Sequence, residues 1–124
     1  MAVLGILLWG RRRSRRASQS AHLADLRRRT LITLDDVVAQ GSVVAGQVEA
    51  LAAEARDLER HAPGDEATAA VAPVRAALDE LAGALDADRT LRLATPPPSA
   101  DQLAYSDALI RRQVTQLQEA LRSP

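Results

Sequence analysis

A chain of 124 residues has room for one domain. Sixteen arginines balance sixteen acids, and the absence of cysteine excludes disulfides, thiolate metal sites and a cysteine nucleophile. Trp9 and Tyr105 are the only aromatics, so Leu, Val and Ala must build the core. At ~25 cal/mol per Å² of apolar surface buried, such a core is thin for so short a chain. That points to a protein partner, a membrane or self-association.

The zero net charge hides an asymmetry. Residues 1–29 carry eight arginines against the single acid Asp25, and residues 30–124 carry eight arginines against fifteen acids. A basic end on an acidic body suggests an anionic surface partner at the N-terminus.

The first ten residues, MAVLGILLWG, are apolar and lead into Arg11, Arg12, Arg13, Arg15 and Arg16. Ten helical residues rise ~15 Å, about half of a hydrocarbon core. The charge follows the apolar stretch, the reverse of a signal peptide. The order matches the last half of a membrane span, with Trp9 at the interface and arginines on the cytoplasmic side. Three expectations compete: the end of a span in a longer membrane protein, a shallow interfacial anchor, or a segment packed on the bundle or on a partner. On the first two, Val3, Leu4, Ile6, Leu7, Leu8 and Trp9 contact the membrane. Arg11, Arg12, Arg13, Arg15 and Arg16 then contact anionic lipid.

A helical domain is expected over 17–124, behind this membrane-proximal segment of residues 1–16. Its first helix, over 17–61, carries Leu34, Val37, Gly41, Val44, Val48, Leu51, Ala55 and Leu58 at alternating spacings of three and four. That is a narrow seam of the coiled-coil type. Gly41 and Gly46 are costly in a helix and suggest a close helix approach. Leu23, Leu26 and Leu31 fit the seam less well. Arg27, Arg28 and Arg29 interrupt it, so the regular bundle is expected to begin near Leu34, above a basic neck. A rod over 17–61 is long for so small a domain, and a break is expected near Arg29–Thr33 if one exists.

Pro63–Gly64 ends this helix. The second, over 66–93, is expected to be capped by Asp65 or Thr68 and to hold a seam of Val71, Val74, Leu78, Leu81 and Leu85. Pro73 lies either in its first turn or at a kink. Asp86, Asp88, Arg89 and Arg92 read as a solvated end. Pro96-Pro97-Pro98 makes a stiff spacer. Ser99 and Gln102 have capping-box spacing. The third helix, over 100–122, carries Leu103, Ile110, Val114, Leu117 and Leu121, with Asp107 at an imperfect position. The expected fold is all-α, an antiparallel three-helix bundle or coiled coil with a long first helix.

Chemistry is sparse. His22 and His61 stand near opposite ends of the expected first helix, without a second ligand at helical spacing. Asp35–Asp36, Glu49/Glu54 and Asp57/Glu59 read as an acidic solvated face. No phosphate-binding loop or nucleophile elbow occurs. No catalytic, cofactor or metal residue is therefore expected. The arginine runs could meet nucleic-acid phosphate, but no aromatics are interleaved for base stacking. Lipid fits the first run better.

An apolar stretch, an Arg cluster, Leu34-Asp35-Asp36, Glu66-Ala67-Thr68 and Ala72-Pro73-Val74-Arg75-Ala76-Ala77-Leu78 follow in that order. This series resembles the helical region after the transmembrane segment of some actinobacterial TPM-domain membrane proteins. The TPM domain itself is absent, so its activity is not implied. The resemblance implies topology alone: helices on the cytoplasmic side, anchored at the N-terminus. The function expected is a non-enzymatic, membrane-associated interaction or scaffold module. The alternatives are a soluble coiled-coil adaptor or oligomer, and a small nucleic-acid-binding helical protein.

Overall fold

The computed structural model describes the backbone of residues 2–123 and the side chains of residues 17–123. The described residues are helical, without strands. α1 spans Ala2–Gln40, a 3-10 turn spans Gly41–Val44, α2 spans Ala45–Arg60, α3 spans Asp65–Arg92 and α4 spans Ala100–Arg122.

The rod expected over 17–61 is divided in two. Gly41 sits at φ +61°, in the left-handed region that other residues adopt at a cost. The helical ladder therefore stops at Gln40, and the chain doubles back. In a continuous helix Gln19 and Leu58 would stand ~58 Å apart; here Gln19 Nε2 donates to the Leu58 carbonyl at 2.9 Å. The break comes at Gly41 and not near Arg29–Thr33. Close helix approach is not what the glycines provide, since a Cβ added at Gly41 or Gly46 would meet nothing within 4 Å. Gly41 is needed for its backbone angle.

Four α-helices thus stand where three were expected. α1 packs on α2 and α4, α2 on α3, and α3 on α4. The core takes residues from every helix: Leu26, Leu34 and Val37 from α1, Val48, Leu51 and Ala55 from α2, Val74, Leu78, Leu81 and Leu85 from α3, and Ile110, Val114 and Leu117 from α4. Val44 of the turn is buried with them, and Leu58 and Leu121 pack at its edge. Leu103 is half-buried. The core also begins earlier than Leu34. Leu26 is fully buried, and Thr30 lies one turn on, with its hydroxyl donating to the Leu26 carbonyl at 2.7 Å. Thr30 continues the three-four seam between Leu26 and Leu34, where a polar residue hides the pattern.

Helix ends follow simple chemistry at α4. Ser99 Oγ accepts from the Gln102 amide at 3.2 Å, and Gln102 Oε1 accepts from the Ser99 amide at 2.8 Å, completing the expected capping box. α3 differs from expectation. Gly64 is its N-cap and no side chain caps it. Asp65 and Glu66 instead lie in the first turn, where carboxylates meet the positive end of the helix dipole. Thr68 Oγ1 donates back to the Gly64 carbonyl. α3 runs through Pro73, which is exposed. The connector to α4 contains a cis Thr95–Pro96 bond.

Gly41→Ala is expected to lower folding stability by about 1 kcal/mol, through backbone strain alone. Gly83, exposed within α3 and free of neighbours within 4 Å, should show the opposite sign, with Gly83→Ala gaining about 0.5–1 kcal/mol. Urea unfolding measures both; a neutral Gly41→Ala would contradict the role given to the turn.

Candidate functional site

Polar side chains converge where the 3-10 turn meets α3 and α4. Asp88 is 1% exposed, so it is not part of a solvated helix end as the charge pattern suggested. Its Oδ1 accepts from Ser106 Oγ at 2.7 Å, and its Oδ2 accepts from Arg92 Nε at 2.9 Å. Ser42, on the 3-10 turn, lines the same groove as Asp88, and its hydroxyl favours the charged carboxylate. Arg92 reaches on to Asp107, donating from Nη2 to Oδ1 at 3.2 Å.

This arrangement holds Asp88 ionised. Burial pushes its pKa up, but the bonds from Ser106 and Arg92, the nearby Ser42 hydroxyl and the Arg92 charge outweigh burial and bring it below the ordinary carboxylate value. A carboxylate with a lowered pKa and occupied oxygens is poorly suited to proton transfer near neutral pH. Its evident work is mechanical: one side chain, beside the turn, ties α3 to α4.

Sequence reasoning missed this cluster, yet a signal was present. Leu81, Leu85 and Asp88 keep the three-four spacing, as do Leu103, Ser106 and Ile110. A polar residue in phase with an apolar seam is a buried polar group that must find a partner. Asp107, assigned to the seam position, lies beside it and pairs with Arg92.

Beside the cluster runs an open groove of about 890 Å³, lined by Val37, Val38, Ser42 and Val43 on one wall and Ile110 and Val114 on the other. A second, of about 540 Å³, is lined by His22, Asp57 and His61 among others. The chain reversal brings these two histidines to one surface, although a continuous helix would have kept them far apart. Both are exposed, and His61 Nδ1 lies 3.3 Å from Asp57 Oδ1. Among the described residues no three His, Asp or Glu side chains are placed to hold a metal ion.

The arginine triplet of α1 works within the chain. Arg27 Nη1 donates to the Leu121 and Ser123 carbonyls at 3.1 Å each, where α4 leaves its last carbonyls without helical partners. Arg28 pairs with Asp25. Arg29 donates to Glu54 from Nη1 and Nη2, at 2.6 and 3.2 Å, and to Asp25 from Nε at 2.8 Å. The Glu54 bond, then the charges of Glu54 and Asp25, raise the Arg29 pKa against partial desolvation. The stretch expected to be a neck is therefore fastened to α2 and α4. Glu59 and Asp79 are similarly shared with Arg75 and Arg56, each at 2.6 Å. These pairs are half-exposed and individually weak, but they set which helix faces meet.

The residues expected to contact the membrane, Val3, Leu4, Ile6, Leu7, Leu8 and Trp9, and those expected to contact anionic lipid, Arg11, Arg12, Arg13, Arg15 and Arg16, lie outside the described side chains. No helix of the described residues is long and apolar enough to cross a membrane. No protein-family model, curated protein or solved structure matches the chain.

Asp88→Ala is expected to cost about 2–3 kcal/mol, because it strips a charged acceptor from the buried Ser106 hydroxyl and from Arg92. The sign of the pH effect follows from the lowered pKa. Asp88 contributes stability above about pH 4, where the unfolded carboxyl is already ionised, and loses it as pH falls through the folded value. Acid unfolding of Asp88→Ala should be less steep below that point, and equal slopes would argue against the anchor.

Proposed function

We propose that the chain is a non-enzymatic helical interaction module, held by its N-terminal segment at the cytoplasmic face of a membrane. The continuity of α1 carries this reading. One 39-residue helix runs from Ala2 to Gln40, so the apolar decapeptide and its arginines share an arm with Leu26 and Leu34 of the core. On this reading Val3–Trp9 enter the apolar phase, and Arg11–Arg16 meet anionic headgroups at its edge. The resemblance to the helical region of TPM-domain proteins supports the same side of the membrane.

The bundle is read as antiparallel, its four helices alternating in direction. Gln19 meeting Leu58, Glu59 meeting Arg75, Asp88 meeting Ser106 and Arg27 meeting Ser123 support it. Glu59 and Asp88 lie late in α2 and α3 and meet residues in the first half of the next helix; Gln19 and Leu58 lie at similar distances before and after the turn; and α1 meets the end of α4 at Arg27 and its middle, Ile110 and Val114, near Val37. Such a bundle presents rigid outer faces to protein partners, and no cofactor is needed for that work.

A second reading, a soluble oligomer, is favoured by one observation: α1 turns large apolar residues outward at Leu31, Ile32 and Val38. Sedimentation without detergent separates the two. A discrete soluble oligomer supports the second, and detergent-dependent solubility the first.

Flotation with vesicles containing anionic lipid tests the anchor. The full chain should co-float with them, more weakly with neutral vesicles, and a chain lacking residues 1–16 should stay behind. Equal flotation of the shortened chain, or none of the full one, would overturn membrane attachment.

A further inference from the structure

A helix on the outside of a bundle turns its apolar side inward and its polar side to water. α1 does so on its inner side, through Leu26, Thr30, Leu34 and Val37. Its outer side breaks the rule. Leu31 is 52% exposed, Ile32 61% and Val38 73%. Of six large hydrophobics exposed among the described residues, four lie between Leu31 and Val43, so the exposure is a patch and not scatter. Ala24, Arg28, Leu31, Ile32, Asp35 and Val38 are all exposed. At about 100° per residue they fall within an arc of about 120°.

We propose that this face is covered by α1 of a second copy of the chain, packed antiparallel about a two-fold axis crossing at the level of Leu31 and Ile32. The charges select both occupant and direction. Arg28 and Asp35 lie at equal distances on either side of that level. A two-fold axis there sets Arg28 of each copy opposite Asp35 of the other, giving two equivalent ion pairs. Leu31 then meets its own counterpart, Ile32 does the same alongside, and Val38 meets Ala24 of the second copy. A parallel pair in register would instead set Arg28 against Arg28 and Asp35 against Asp35. The patch is self-complementary in the one orientation, as an isologous interface must be.

The groups needed are accessible. Asp35 makes no ion pair among the described residues. Arg28 pairs with Asp25 on its own helix, and Asp25 keeps Arg29 when Arg28 turns outward. The pairing deepens the soluble-oligomer reading and rests on it. Position 10 of the two copies would stand ~65 Å apart at opposite ends of the pair. Perpendicular insertion of both N-termini in one bilayer and this pairing therefore exclude one another.

Because the chain lacks cysteine, single cysteines report the geometry cleanly. Full-length Ala24→Cys and Ala39→Cys chains, both altered at exposed sites, are mixed and treated with a short bis-maleimide. The antiparallel pair places position 24 opposite position 39, so the 24–39 cross-link should dominate. A parallel pair would give 24–24 and 39–39 products. Arg28→Asp should weaken association about tenfold by sedimentation equilibrium, and Arg28→Asp/Asp35→Arg should restore it. Unchanged helicity by circular dichroism would show that the variants fold. Like-with-like cross-links, a monomer at every concentration, or association indifferent to the charge reversal would each overturn the pairing. Vesicle flotation of the Arg28→Asp chain reads the membrane proposal separately, because residues 1–16 are intact in it.

Discussion

The positive φ at Gly41 decides the course of the chain. A straight helix through this point would carry α2 away from α1 and leave both seams bare. The turn instead folds the two halves of one continuous seam against each other, and α3 and α4 complete the core around them. Glycine supplies the angle, but an angle alone does not place a turn. Asp88, beside the turn, helps to do that: its carboxylate takes Ser106 from α4 and Arg92 from its own helix, with Ser42 of the turn close by. Burial opposes that charge, and these groups compensate for it.

Charge has two different uses in this small protein. Five arginines beyond Ala17 join one helix to another. Arg27 closes the end of α4, Arg29 joins α1 to α2, Arg75 and Arg56 join α2 to α3, and Arg92 joins α3 to α4. Apart from Arg27, which meets carbonyls, these arginines pair with acids. The cluster Arg11–Arg16 follows an apolar stretch on the same helix, in the order that suits a membrane edge. The N-terminal segment and the apolar face around Leu31 therefore share α1. Both suit the interaction role proposed for the chain.

Much of the helix pattern was legible. The limits of α3 and α4, the Ser99–Gln102 box and most core positions follow from spacing. The differences share one cause. Apolar residues carry the periodicity, and a polar residue at a buried position hides it. Thr30, Asp88 and Ser106 are all in phase with the seams, masked by their hydrophilic side chains. Gly41 does the reverse. It kept the phase of the seam, and so concealed a reversal that periodicity cannot register. A helix and a hairpin of two helices present the same three-four spacing when the turn between them spans a whole repeat.

By itself the sequence determined that the described chain is helical, where Pro63–Gly64 and Pro96–Pro98 stop its helices, and that its charge is divided into a basic end and an acidic body. These follow from local properties: side-chain period, the missing amide of proline, and composition. Only the tertiary structure decided that Gln19 lies beside Leu58, that His22 and His61 share a surface, that Asp88 is enclosed and that Leu31 and Ile32 are not. Those outcomes depend on which residues meet across the bundle. The meeting is set by one backbone angle at Gly41, and by donors brought to Asp88 from other parts of the chain.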